Sequence, residues 1–185
     1  MILIVDMSFK KGSLSFCEFV LPIVSVIKNE RSLVKHRSEL SIEDLNSCDR
    51  VILSGTGLKD DEFLKQVEDF HWTRNLDKPL LGICAGMEVI GLVFGSSLFD
   101  CLEVGMRDLR LVRKNALFSS DLRAYELHSH GVQVSAEFDV LAESESCVQA
   151  IKHKEKSIYG VLFHPEVRNP EVIERFALLP KKQLE

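Results

Sequence analysis

The apolar positions of this chain fall into two regimes. Through the first half, short continuous apolar runs alternate with segments of helical spacing. Ile2-Leu3-Ile4-Val5 ends in Asp6 and predicts a buried strand over 2–6. Phe16, Phe19, Val20, Ile23, Val24 and Ile27 follow helical spacing, with Pro22 either kinking that helix or lying in its first turn. A second strand is expected at 33–35 and a short helix capped by Ser41 over 41–45. Residues 50–54 read as another buried strand, and 60–75 as an amphipathic helix with Phe63, Val67 and Phe70 on one face. A buried strand at 79–83 runs into Cys84, and a helix is expected at 87–94.

The second half changes period. Short β-like runs at 109–113, 124–127, 132–135, 140–144, 148–153 and 157–163 are separated by turns, and a last helix is expected at 171–179. Alternating strands and helices followed by hairpins predict an α/β fold. Its central sheet is mostly parallel, flanked by helices, with added β-hairpins in the second half. No internal repeat or linker divides the 185 residues, so one domain over 1–185 is expected.

Charge narrows the partners. Asp and Glu outnumber Lys and Arg by 28 to 23, and the most basic stretch, 152–156, is interrupted by Glu155. Nothing there neutralises a run of phosphates, which argues against nucleic-acid or anionic-membrane partners. The five cysteines are odd in number and irregularly spaced, with no CxxC pair. Neither a disulfide framework nor a zinc site is suggested, and a cytoplasmic location fits best. His128 and His130 share a face if their segment is a strand, but no third ligand is evident, so no metal and no cofactor is expected.

Two motifs carry chemistry. Gly82-Ile83-Cys84-Ala85-Gly86 falls where a buried strand becomes a helix. Small residues there permit a sharp, strained turn that presents the thiol at the carboxyl end of the sheet. Free N–H groups at the start of the next helix favour a thiolate and an oxyanion. The second motif, His164-Pro165-Glu166, follows an apolar strand. A nucleophilic thiol needs a base, and the base needs an acceptor on its other nitrogen. His164 and Glu166 supply both.

With Ser129-His130-Gly131, these motifs resemble class I (triad-type) glutamine amidotransferases, in the family's order and over nearly the whole chain. The stretch 150–167 looks most like the free-standing glutaminase subunits of archaeal GMP synthetases. The resemblance implies hydrolysis of glutamine through a glutamyl thioester, with Cys84 as nucleophile, His164 as acid and base and Glu166 as orienter. It implies backbone oxyanion donors at Gly55 and Ala85, and substrate contacts at Ser129, Gly131 and Val132. It also implies a partner, an ATP-pyrophosphatase synthetase subunit that receives the ammonia.

The sequence departs from the family pattern in three places. Gly55-Thr56-Gly57 replaces the usual Gly-Gly-Pro, and Glu103-Val104-Gly105-Met106 is a variant of the usual Gly-Glu segment. Glu88 stands where a substrate-contacting Gln is usual. A carboxylate cannot donate as an amide does, but it can hold the substrate's ammonium group. A unit charge about 6 Å from the thiol, at an effective dielectric near 20, opposes thiolate formation by roughly 2–3 kcal/mol. Thr56 and Glu88 keep open a non-catalytic regulatory subunit of the same fold. A γ-glutamyl hydrolase that uses water as acceptor is the other alternative.

Overall fold

The computed structural model describes residues 1–180; the last five positions of the expected domain, 181–185, lie outside the described residues. Nine strands form one mixed sheet in the order β2-β1-β3-β4-β9-β8-β7-β5-β6. Strands β1 (Ile2–Asp6), β2 (Ser32–His36), β3 (Arg50–Leu53), β4 (Leu80–Ile83) and β9 (Ile158–Val161) are parallel neighbours. Antiparallel pairing takes over from β9 through β8 (Val148–His153) and β7 (Phe138–Glu143) to β5 (Ser97–Leu111) and β6 (Leu122–Gln133). The expected α/β class and the added hairpins are both present.

Continuous apolar strands are buried on both faces, and the two faces sort by parity. In β1, Ile2 and Ile4 join a core with Val20, Ile23, Val172 and Phe176; Leu3 and Val5 join another with Phe63, Phe70, Val89 and Phe94. Helices α1 (Leu21–Val26) and α4 (Glu171–Leu178) therefore cover one face. Helix α3 (Ala85–Val93) and the helical turns of Glu62–Asn75 cover the other. Helix α2 (Ile42–Ser47) starts on the expected cap, where Ser41 and Asp44 bond reciprocally. No helix among the described residues is long and apolar enough to cross a membrane.

Three expectations shift. The helix over 16–27 begins as a π-helical turn, Phe16–Val20, and Pro22 lies in the first turn of α1, where its missing N–H costs nothing. The segment 62–75 is not a regular α-helix: it winds as 3-10 turns broken at Gln66. Phe70, Thr73 and Leu76 are all buried, and a three-residue repeat suits 3-10 geometry better than α. Finally, β5 starts at Ser97, well before the expected 109, and 124–127 and 132–135 belong to one strand, β6. Most of β5 is polar or exposed, so alternation gives little sign of it.

Candidate active site

Parallel pairing of β4 with β9 sets Ile83 opposite Val161, so both strands end at one place. Cys84 extends the pairing through its N–H to the Val161 carbonyl (2.8 Å) and then turns into α3. Its φ of 48° and ψ of −107° place a side-chain-bearing residue in strained backbone territory. The expected strain thus sits on the cysteine itself. The flanking glycines serve close packing instead: a Cβ at Gly82 would lie 2.4 Å from the Gly86 carbonyl carbon, and one at Gly86 2.7 Å from the Leu53 carbonyl oxygen. Ala85 opens α3, so its N–H has no acceptor one turn back within the helix.

His164 is fully buried, three residues beyond β9. Its N–H donates to the Tyr125 carbonyl of β6 (2.9 Å), and its ring packs on Phe19 with centroids 5.2 Å apart. Nδ1 meets Glu166 Oε1 at 2.7 Å, the orienting contact expected of this pair, while Nε2 makes no hydrogen bond. Gly55, on the loop after β3, is close to both groups. A Cβ there would stand 2.6 Å from His164 Cε1 and 3.5 Å from Cys84 Cβ. The Cys84 thiol itself donates to the Leu127 carbonyl at 3.6 Å.

The electrostatics couple these groups. Burial pushes the Cys84 thiol up; His164 pulls it back, and Glu88 and Glu166 push it further. Burial disfavours a charged His164, yet Glu166 and Cys84 outweigh it and hold the imidazole well above its ordinary value. Proton and charge are thereby shared between thiol and imidazole. An electron pair on sulfur, beside a positioned proton carrier, can attack a carbonyl carbon and then protonate the leaving group.

A narrow cleft of about 20 Å³ lies over the thiol, walled by Thr56, Asp60, Cys84, Glu88, Leu127 and Ser129 among others. It shares Gly57, Leu58 and Asp60 with a wider groove of about 650 Å³. Thr56 does not point free: its hydroxyl donates to Asp60 Oδ2 at 2.5 Å, and the Phe9 N–H donates to the same oxygen at 2.8 Å. Glu88 is buried in the first turn of α3, with Oε2 3.7 Å from His130 Nδ1 and in no hydrogen bond. Glu88 in turn raises His130 above its ordinary value, against burial.

Cys84, His164, Glu166, Gly55, Ala85, Glu88 and Ser129 are brought together. Gly131 and Val132 do not line this cleft: Gly131 abuts the Phe99 ring, and Val132 is buried against Gly91. Phe19, Tyr125 and Leu127 were invisible as site residues, because two of them act through backbone carbonyls. His130 lay inside a recognised motif, but its pairing with Glu88 needed the fold. The pair His128 and His130 splits, with His128 turned to Glu103 and Glu126.

A strained elbow cysteine facing a His–carboxylate pair at the carboxyl end of a doubly wound sheet defines a class of thiol-dependent α/β proteins. Residues 15–176 match the model of the family Glutamine amidotransferase class-I. The chain belongs to that family of glutamine amidotransferases. It is 32% identical over 168 residues to the glutamine-hydrolyzing subunit of GMP synthase from Methanococcus maripaludis, covering 79% of this chain and 89% of that one. With the corresponding GMP synthase subunit of Methanosphaera stadtmanae it shares 32% identity over 147 residues, covering 74% and 68%. A putative GMP synthase subunit from Thermoplasma acidophilum shares the fold with a TM-score of 0.82 at 23% identity, covering 95% of this chain and 92% of that one.

Proposed function

We propose that the chain is the glutaminase subunit of a two-part GMP synthase, with Cys84, His164 and Glu166 as its catalytic residues. The observation that carries this is the elbow geometry of Cys84 beside a buried His164 held at 2.7 Å by Glu166. Relatives named as glutamine-hydrolysing subunits of GMP synthase support the substrate and the partner, an ATP-pyrophosphatase synthetase subunit.

In this reading the Cys84 thiolate attacks the side-chain amide carbon of glutamine. The oxyanion accepts hydrogen bonds from the N–H groups of Gly55 and Ala85. Protonated His164 gives its proton to the amide nitrogen, the C–N bond breaks, ammonia leaves and a glutamyl thioester remains. Neutral His164 then takes a proton from water, whose oxygen attacks the thioester. The C–S bond breaks, the proton returns to sulfur, and glutamate departs. Glu166 holds Nδ1–H throughout and stabilises the imidazolium. Glu88 and the backbone of Ser129 hold the substrate's ammonium end. A 20 Å³ cleft has room for about one water, so the wall at 56–61 must open to admit glutamine.

The test is glutamate release from glutamine, measured for the chain alone and then with nucleotides plus a GMP-forming ATP-pyrophosphatase partner. Release should rise with the partner and vanish in Cys84→Ala. Release unchanged in Cys84→Ala refutes the nucleophile. Release that never appears, with partner and nucleotide present, favours a regulatory subunit. Full release that no synthetase subunit stimulates favours a γ-glutamyl hydrolase.

A further inference from the structure

A second polar cluster lies behind β6. Cys101 and Glu103 of β5, Glu126 and His128 of β6, and Cys147 and Gln149 at the start of β8 meet there, and all but Cys101 are buried. The two Sγ atoms and a Glu103 carboxylate oxygen lie within 4.8 Å of one another. His128 Nε2 stands 3.4 Å from Glu103 Oε2 and 3.4 Å from Glu126 Oε2.

Hydrogen bonding in this cluster is lopsided. Glu103 Oε2 accepts from Gln149 Nε2 (2.8 Å), Ser144 Oγ (2.9 Å) and Cys147 Sγ (3.5 Å). Both Glu126 oxygens and Gln149 Oε1 are buried with no hydrogen bond. Native interiors rarely leave three such acceptors unmatched in one place. His128 sharpens the point. Its Nδ1 is 3.1 Å from the Cys101 carbonyl, which only accepts, so Nδ1 carries a proton. In a neutral ring Nε2 is then a bare lone pair facing two carboxylates. The Gln149 amide, 3.3 Å away, also faces Glu103 Oε2 and Cys147 Sγ, so it offers two hydrogens to three acceptors.

We infer that this cluster is a structural site for a divalent, thiophilic cation of the zinc class, held by Cys101, Glu103, His128 and Cys147. Two thiolates, one imidazole and one carboxylate make a four-ligand set of the kind zinc takes. The Nδ1–H bond to a backbone carbonyl is how a metal-binding imidazole is aimed. Donors around tetrahedral zinc stand about 3.2–3.8 Å apart. The His128–Glu103 spacing already meets that, and the thiols close in by about 1 Å at most. Each thiol loses a proton to solvent as its sulfur donates a pair to the cation, two protons per cation bound. Arg107 Nε, 3.8 Å from Glu103 Oε1, covers the carboxylate's other oxygen and leaves Oε2 for the cation. Half-exposed Cys101 gives the entry path. A cation here would tie β5 and the turn before β8 to β6, the strand whose Leu127 carbonyl receives the Cys84 thiol.

The test titrates the reduced, chelator-stripped full chain with Co²⁺. One Co²⁺ per chain is expected, with a thiolate charge-transfer band in the near ultraviolet, visible bands of tetrahedral cobalt, and loss of both on adding Zn²⁺. Cys101→Ser with Cys147→Ser should abolish the bands and weaken binding by about 100-fold or more. Cys101→Ser alone changes a half-exposed side chain and guards against a double variant that does not fold; about tenfold weaker binding is expected. A native chain with no thiolate band overturns the inference, as does a band of equal strength in the Cys101→Ser chain. Ready formation of a Cys101–Cys147 disulfide in protein that binds no cobalt overturns it too, in favour of a thiol pair.

Discussion

Gly55 lies directly against the ring of His164: a Cβ on it would reach 2.6 Å from Cε1 and 3.2 Å from Nδ1. The imidazole is already pinned by Phe19, Tyr125 and Glu166, so it cannot yield. The loop after β3 would have to withdraw instead. Gly55→Ala should therefore lower kcat for glutamine hydrolysis by about 100-fold, the scale of losing one oxyanion donor. KM and melting temperature should change little, which steady-state kinetics and a thermal melt would check.

Glu88 bears on the same thiol from the other side. It pushes the Cys84 thiol up, and its own charge is partly met by His130. Glu88→Gln should speed alkylation of Cys84 by iodoacetamide near neutral pH by about tenfold, the effect of a partly screened charge at this range. His130→Ala should slow it. If Glu88→Gln also raises KM for glutamine, the carboxylate holds substrate as well as tuning the thiol.

The ionisation of the pair sets the pH dependence. The Cys84 thiol and the His164 imidazole are both shifted upward, so the folded chain binds these protons more tightly than the unfolded chain. His164 then contributes stability that is fully present below 6.5, its ordinary value, and is lost as pH rises through its raised value. Urea unfolding free energy should fall from pH 6.5 upward, and Glu166→Gln should flatten that fall. In the same variant the alkaline limb of kcat/KM, where protonated His164 is lost, should move to lower pH.

The turn itself is tested by packing. A Cβ on Gly86 would lie 2.7 Å from both Leu53 Cβ and the Leu53 carbonyl oxygen, inside the buried core. Gly86→Ala should destabilise the fold by about 1–3 kcal/mol, the range for overpacked cores, seen as a lower urea midpoint.

Much of this was legible along the chain, and for identifiable reasons. Buried parallel strands announce themselves as unbroken apolar runs, so β1, β3, β4 and β9 and the α/β class were readable. Ser41 with Asp44 marked a helix start because a cap is a local bond. The elbow at Cys84 and the His164–Glu166 pair were readable because each is built from neighbours in sequence. Less was visible where burial is partial. The polar first two thirds of β5 carry no alternation to read, and 62–75 has too few apolar positions to tell 3-10 from α winding.

Sequence alone, then, determined the chemistry present and the parallel half of the sheet, since both depend on residue type and short spacing. Only the tertiary structure decided that β4 and β9 end side by side, which converts two separate motifs into one site. It also decided that strain falls on Cys84 rather than on its glycines, and that Glu88 faces His130. Cys101, Glu103, His128 and Cys147 had given no metal pattern, because long-range strand pairing, not spacing, collects them. Contacts across such distances depend on sheet order and register, which no local rule encodes.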